Sequence, residues 1–225
     1  SGITITLAPK CGFEILQSTC PEAMFISGGN NFIDNIDIEE GFVVGIGPGL
    51  GTNMETEKAV LKFIEKYRNP LVLDADVLNI LAKNQENLKM IPKNSIITPH
   101  PKEFKRLFGE TRNSFERLKL AQIKAAELGI FIVLKDHHTQ ICTPNNRVFY
   151  NISGNSGMAK GGSGDALLGI ITALLAQKYS SENAAIFGVW LHGKACDCAA
   201  EKFSKEAMLP TDLINELGNV FQFLK

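Results

Sequence analysis

"SGNSGMAKGGSGDALLGIITALLAQ", residues 153–177, decides the reading of this chain. Glycines at 154, 157, 161, 162 and 164 fall within eleven residues, one carboxylate follows at Asp165, and an apolar run begins at once. Ala166, Leu167, Leu168, Ile170, Ile171, Ala173, Leu174 and Leu175 are apolar nearly all round the helix they form, which predicts a buried helix. First-turn N–H groups have no partner within their own helix, and leaving them dry costs stability. Glycines just upstream let the backbone curl into a concave set of amide donors at the positive end of the helix dipole. That is a phosphate cradle. A plain turn in which Ser163 or Asp165 caps the helix is the alternative; it accounts for one side chain but does not require five glycines. With phosphate over residues 161–164, Asp165 faces the approach of a nucleophile and can take a proton from an attacking hydroxyl. The pattern points to phosphoryl transfer to an alcohol.

Neither common nucleotide motif is present. No Gly-Lys-Ser/Thr occurs, so the loop is not a Walker A motif, and "GPGLG" at 47–51 lacks the GxGxxG spacing of a dinucleotide fingerprint. Outward from the loop, short apolar runs are bounded by turn residues: "ITITLA" (3–8), "FVVGIG" (42–47), "PLVLD" (70–74), "SIIT" (95–98) and "IFIVLK" (130–135). Continuous apolar character suits strands covered on both faces, hence a mainly parallel sheet. Between them, 53–67 and 113–128 carry apolar residues at spacings of three and four, with Gly129 as a stop. Residues 139–150 read as a hairpin, and long helices are predicted at 162–178, 181–203 and 210–223. The whole is an α/β layered fold in a single domain, 1–225. Just past four strands lie glycine, Asp74, "PHPKEF" and Lys135, and ligands of open α/β sheets bind outside strand carboxyl ends.

Composition sets the outer limits. The 225 residues are 44% hydrophobic and 21% charged, with a net charge of −1, which argues against a nucleic-acid partner held by a broad basic field. The longest apolar run, 166–176, is too short to span a membrane, and "SGITITLAPK" does not read as a signal peptide. Five cysteines without a CxxC pair suggest reduced thiols and a cytoplasmic setting. Cys196 and His192 are four residues apart on a helix, yet no further ligand spacing supports a metal, and both read as core residues.

"GNSGMAKGGSGDALLG" closely resembles the glycine-rich signature of the ADP/ATP-dependent NAD(P)H-hydrate dehydratases, members of the ribokinase-like superfamily. "GIGPGLG" (45–51), "VLDADVLN" (72–79), "ITPHPKEFKRL" (97–107), "VLKDHHTQI" (133–141) and "GVWLHGKACD" (188–197) follow in the family's order. The resemblance implies a ribokinase-like three-layer sandwich. It also implies a nucleotide repair lyase that restores the S epimer of hydrated NADH or NADPH (NADHX, NADPHX). ADP or ATP would phosphorylate the C6 hydroxyl and phosphate would then eliminate, because hydroxide is a poor leaving group and phosphate a good one. By the same resemblance Asp165 is the catalytic base, and Gly49, His100, Glu103 and Asp165 contact the hydrate, with the segment through Arg106 beside them. Lys135, Asp136, His137, His138 and Thr139, with Asn155, Gly157, Met158, Ala159, Gly161, Gly162, Ser163 and Gly164, hold the nucleotide. Mg²⁺ is expected on the phosphates, its ligands unnamed.

The resemblance implies a homo-oligomer, and in some relatives an epimerase domain precedes this one. It further implies that an N-terminal portion is lacking, since the family carries several dozen residues before "SGITITLA". Bacterial relatives usually place glycine after the lysine, where this chain has Asp136. Several residues keep a second reading: His100 as a rigid turn residue between prolines, Glu103 as a first-turn helix acid, Asp74 as the cap of the "ADVLN" helix. Lys160 reads as a phosphate contact or a solvated charge. Two rival functions remain at this point: a small-molecule kinase on the same fold, releasing a stable phosphorylated vitamin or sugar alcohol, and a nucleotide-binding module without turnover.

Overall fold

A computed structural model describes residues 2–39 and 41–224. Its centre is a six-stranded sheet in the order β3 (Val44–Ile46), β4 (Leu71–Leu73), β5 (Ile96–Ile97), β6 (Phe131–Leu134), β7 (Gln140–Cys142) and β8 (Val148–Tyr150). The first four strands are parallel, and β7 and β8 are antiparallel, closing the hairpin expected at 139–150.

Period-two alternation explains why these strands read as unbroken apolar runs. Leu71, Leu73, Ile97, Ile132 and Leu134 face one layer, formed by α2 (Met54–Lys66), α3 (Ala75–Leu81), α4 (Pro101–Phe108) and α5 (Ser114–Leu128). Val72, Ile96, Phe131 and Val133 face the other, formed by α6 (Ser163–Ala176), α7 (Ser181–Ala207) and α8 (Pro210–Phe223). Each such side chain, fully buried, contributes about 1.5–3 kcal/mol. The result is the three-layer, ribokinase-like sandwich. Helix ends follow local chemistry: Asn53 and Asn113 accept first-turn amides of α2 and α5, and Gly129 closes α5 at φ 68°. Among the described residues no helix is long and apolar enough to cross a membrane.

One expectation changes. "ITITLA" does supply a strand, β1 (Ile5–Ala8), but it joins β2 (Met24–Ser27) in a separate two-stranded parallel sheet with Ile5 opposite Met24. The short helix α1 (Phe13–Thr19) connects them. The apolar side chains Met24 and Ile26 of β2 remain 57% and 43% exposed, so this pair lacks the two-sided cover of the main sheet.

Helix α6 crosses β3 at Gly45, where a Cβ would lie 2.2 Å from Thr172 Oγ1 and 2.9 Å from Leu168 Cδ2. We expect Gly45→Ala to cost about 1–3 kcal/mol in urea unfolding. Adding Thr172→Ala, which removes the nearer atom, should recover part of that loss; an additive double variant would refute the packing described.

Candidate active site

Four adjacent strands end at one rim, and their exits are bonded in series. Asp74 N donates to Ile46 O (3.2 Å), Thr98 N to Leu73 O (3.1 Å) and Lys135 N to Pro99 O (3.0 Å). Gly47, at φ 148°, is required by this crowding: a Cβ there would sit 1.9 Å from the carbonyl oxygen of Asp74. Asp74, Thr98 and Lys135 each follow by two a residue buried on the α6 side (Val72, Ile96, Val133), so they share that sheet face. The Lys135 ammonium donates to both oxygens of Asp74, at 2.8 and 2.9 Å, and the side chains are 21% and 2% exposed. Asp74 therefore does not act as the helix cap weighed for it; it makes no side-chain bond to α3. Thr98 Oγ1 is buried without a partner among the described residues, leaving an open hydrogen-bonding position on the same face.

Above the rim stands the first turn of α6. Gly162 enters it at φ 93°, in the left-handed region that favours glycine. A Cβ on Gly164 would lie 3.2 Å from Lys135 Nζ and 3.4 Å from Asp74 Oδ2, so the ammonium packs directly under the helix backbone. Asp165 follows, exposed to solvent in the first turn. The structure thus brings Lys135, Ser163, Gly164 and Asp165 together, with Asp74 as the added member.

Helix α7 fixes the rest of the glycine loop. Ser153 Oγ donates to Trp190 O (3.0 Å), and Gly193 is bare because a Cβ would meet Ser153 at 2.4 Å. The Asp197 carboxylate accepts from Gly154 N (3.0 Å) and Asn155 Nδ2 (2.9 Å), while Asn155 Oδ1 accepts from Gly157 N (2.9 Å). Gly157 is buried where a Cβ would meet Met208, and Met158 packs against the α6–α8 core, so these two turn inward; Ala159 and Gly161 are exposed. Lys160 neither reaches the rim nor stays solvated. Its ammonium donates to the carbonyls of Lys205 (3.0 Å), Glu206 (2.9 Å) and Met208 (2.6 Å) at the end of α7, the favourable site for a cation.

The other rim loops are similarly held. His100 caps α4: Nδ1 accepts from Lys102 N (3.0 Å) and Glu103 N (3.4 Å), and Glu103 Oε2 accepts from His100 N (2.8 Å). Glu103 is thereby buried as the acid of a capping box. With Nδ1 accepting, the neutral ring carries its proton on Nε2, which lies 3.5 Å from Glu103 Oε1. Burial pushes the His100 imidazole below its ordinary value, against the raising influence of Glu103. Arg106 donates to Asn79 (2.7 Å), tying α4 to α3, and Gly51 N donates to Asp76 (2.9 Å), which holds the loop bearing the exposed Gly49. In the segment after β6, Asp136 is paired with Arg117 of α5 and accepts from His137 N (2.8 Å). His137 and His138 are exposed with their rings edge to face at 4.5 Å, and Thr139 accepts Asn151 N through its carbonyl. A concavity of about 650 Å³ also opens on the molecule, lined by Val43, Pro70 and Phe131 at the amino ends of the strands; the converging polar groups lie at the opposite ends.

Buried His192 supports the first turn of α6 from behind, its Nε2 donating to Ser163 O at 2.9 Å. Burial pushes its pKa down from 6.5 to about 4, opposed in part by that bond, with Lys135 lowering it further. Such a histidine takes up a proton on unfolding. Its contribution to stability is complete above pH 6.5 and is lost as the pH falls toward 4. We expect acidification over that window to remove about 3 kcal/mol through this group. His192→Gln should lack that part of the fall in urea unfolding at stepped pH; identical pH slopes would overturn the assignment.

Residues 1–219 match the family model described as NAD(P)H-hydrate dehydratase. A bifunctional NAD(P)H-hydrate repair enzyme of Thermofilum pendens is 33% identical over 223 residues, covering 97% of this chain and 42% of that one. The ADP-dependent (S)-NAD(P)H-hydrate dehydratase of Neisseria meningitidis is 42% identical over 161 residues, covering 69% of this chain and 54% of that one. The chain thus spans about half or less of the length of these relatives. The ADP/ATP-dependent NAD(P)H-hydrate dehydratase of Bacillus subtilis, crystallised with ATP/Mg²⁺ and soaked with CoA, superposes with a TM-score of 0.84 at 29% identity, covering 100% of this chain and 82% of that one. A family match running from residue 1 to residue 219 and so complete a superposition allow one assignment: the chain belongs to the NAD(P)H-hydrate dehydratase family.

Proposed function

We propose that the chain dehydrates the S epimer of NADHX or NADPHX at the expense of ADP or ATP. The observation that carries this reading is the packing of Gly164 against the Lys135 ammonium, with Asp165 exposed one residue on. Amides of a helix start, a cation and a free carboxylate then meet at one point of the rim. The relatives' activities named above support the same reading.

In this reading the terminal phosphate lies over Gly162–Gly164, where amides and Lys135 stabilise the charge of the transferring phosphoryl group. The C6 hydroxyl oxygen attacks phosphorus, the bond to the leaving nucleotide breaks, and Asp165 takes the hydroxyl proton. The ring nitrogen lone pair next expels phosphate from C6; loss of a C5 proton restores the dihydronicotinamide. Asp74 is spent on Lys135, and among the described residues no group of three His, Cys, Asp or Glu side chains is placed to hold a metal ion by itself. That donor set fits a Mg²⁺ carried mainly by the phosphates, with the exposed Asp165 as the rim carboxylate available to it through water. When bound, the ion neutralises phosphate charge.

The setting follows the same logic. All described strands but β1 and β2 share one sheet, which supports a single domain over residues 1–225. Cys11, Cys20, Cys142, Cys196 and Cys198 are all free, which supports a reducing, cytoplasmic compartment. Exposed Ile214 and Phe221 on α8 suit contact with a second copy in a homo-oligomer.

Incubation of NADHX with ADP, and separately with ATP, should restore the absorbance of reduced nicotinamide. Recovery with neither, alongside accumulation of a stable phosphorylated alcohol from another substrate, would make the protein a kinase instead. Asp165→Asn should bind ADP within about threefold of the parent and turn over about a hundredfold more slowly or worse. Unchanged turnover would remove Asp165 from the mechanism.

A further inference from the structure

We propose that Asp74 is a positioning residue of the nucleotide site, acting through Lys135 to hold its ammonium beneath the first turn of α6 before any nucleotide arrives. The proposal rests on the nucleotide-binding reading above. A lysine ammonium ends a flexible four-carbon stem and is drawn toward water. Here it is held under the amino end of α6, whose dipole is positive and repels it. The bidentate contact to Asp74, at 2.8 and 2.9 Å, offsets that repulsion and fixes the stem.

The backbone around Asp74 is committed to this placement. Gly47 can carry no side chain because the carbonyl of Asp74 occupies the space, and the next residue, Ala75, adopts φ 49°, a conformation that non-glycine residues rarely take. The carboxylate is 2% exposed and caps nothing, although it stands at the start of α3. A buried ion pair is seldom the most stable filling for such a position. Its value here is preorganisation: the cation is ordered in advance, so a phosphate meets a finished site.

A double-mutant cycle on ADP affinity, measured by titration calorimetry, tests this. Asp74→Asn and Lys135→Met should each weaken ADP binding roughly ten- to a hundredfold. The double variant, which leaves no unpaired charge, should bind ADP within about threefold of Lys135→Met alone. Independent, multiplying losses would overturn the proposal, as would Asp74→Asn binding ADP like the parent. Should Asp74→Asn fail to fold, Asp74→Glu carries the same expectation: weaker binding in the parent background, no effect in the Lys135→Met background. Failure of the parent itself to bind ADP would instead refute the nucleotide reading on which the proposal stands.

Discussion

The first turn of α6 is the point on which the molecule's organisation converges. Ser163 N turns back to Lys160 O (3.3 Å), the amides of Gly164 and Asp165 have no partner within the helix, and the helix behind them is embedded in apolar side chains. Three supports hold it. His192 of α7 donates to the Ser163 carbonyl, the Lys135–Asp74 pair lies under Gly164, and Gly162 turns the chain in from the loop. None of these supports consumes the outward side of the turn, where Asp165 stands exposed. A helix end so anchored, yet open, can receive an anion without rearranging.

The sheet and α7 divide the work between them. Parallel strands deliver Asp74, Thr98 and Lys135 to one face, Asp74 level with Thr98 and Lys135 two residues further along its strand, because register and alternation fix both height and direction. Helix α7 instead acts as a rail along which the glycine loop, itself holding only one short 3-10 turn (Ser156–Met158), is laid, from Trp190 through Asp197 to the carbonyls bound by Lys160. Burying a flexible loop is costly unless its polar groups are matched, and Asp197 matches two of them.

Much of this was legible in the sequence. The long helices and the strands of the main sheet announced themselves by periodicity, since their side chains make the core. Gly162–Asp165 was legible because few other patterns need so many glycines before an apolar helix. Asp74 was ambiguous: the start of "ADVLN" is a natural cap position, and its lysine partner lies 61 residues away. Lys160 was misread because the carbonyls it serves belong to a helix end 45 residues or more downstream. Asp197, the last residue of "GVWLHGKACD", and Arg117 carry no role in the sequence reading, because the fold alone brings their partners near. β2 left no signal, being a short apolar run on a largely exposed strand.

The clamp formed by Lys160 has a mechanical consequence. One ammonium grips three carbonyls where α7 turns toward α8, a corner already marked by the backbone reversal at Ser204 (φ 64°). Met208, at the same corner, touches the thiol of Cys196 and closes the space beside Gly157. Corner and loop are thereby geared together, so a body that grasps the outer surface at 204–210 would have its leverage on the glycine loop without entering it.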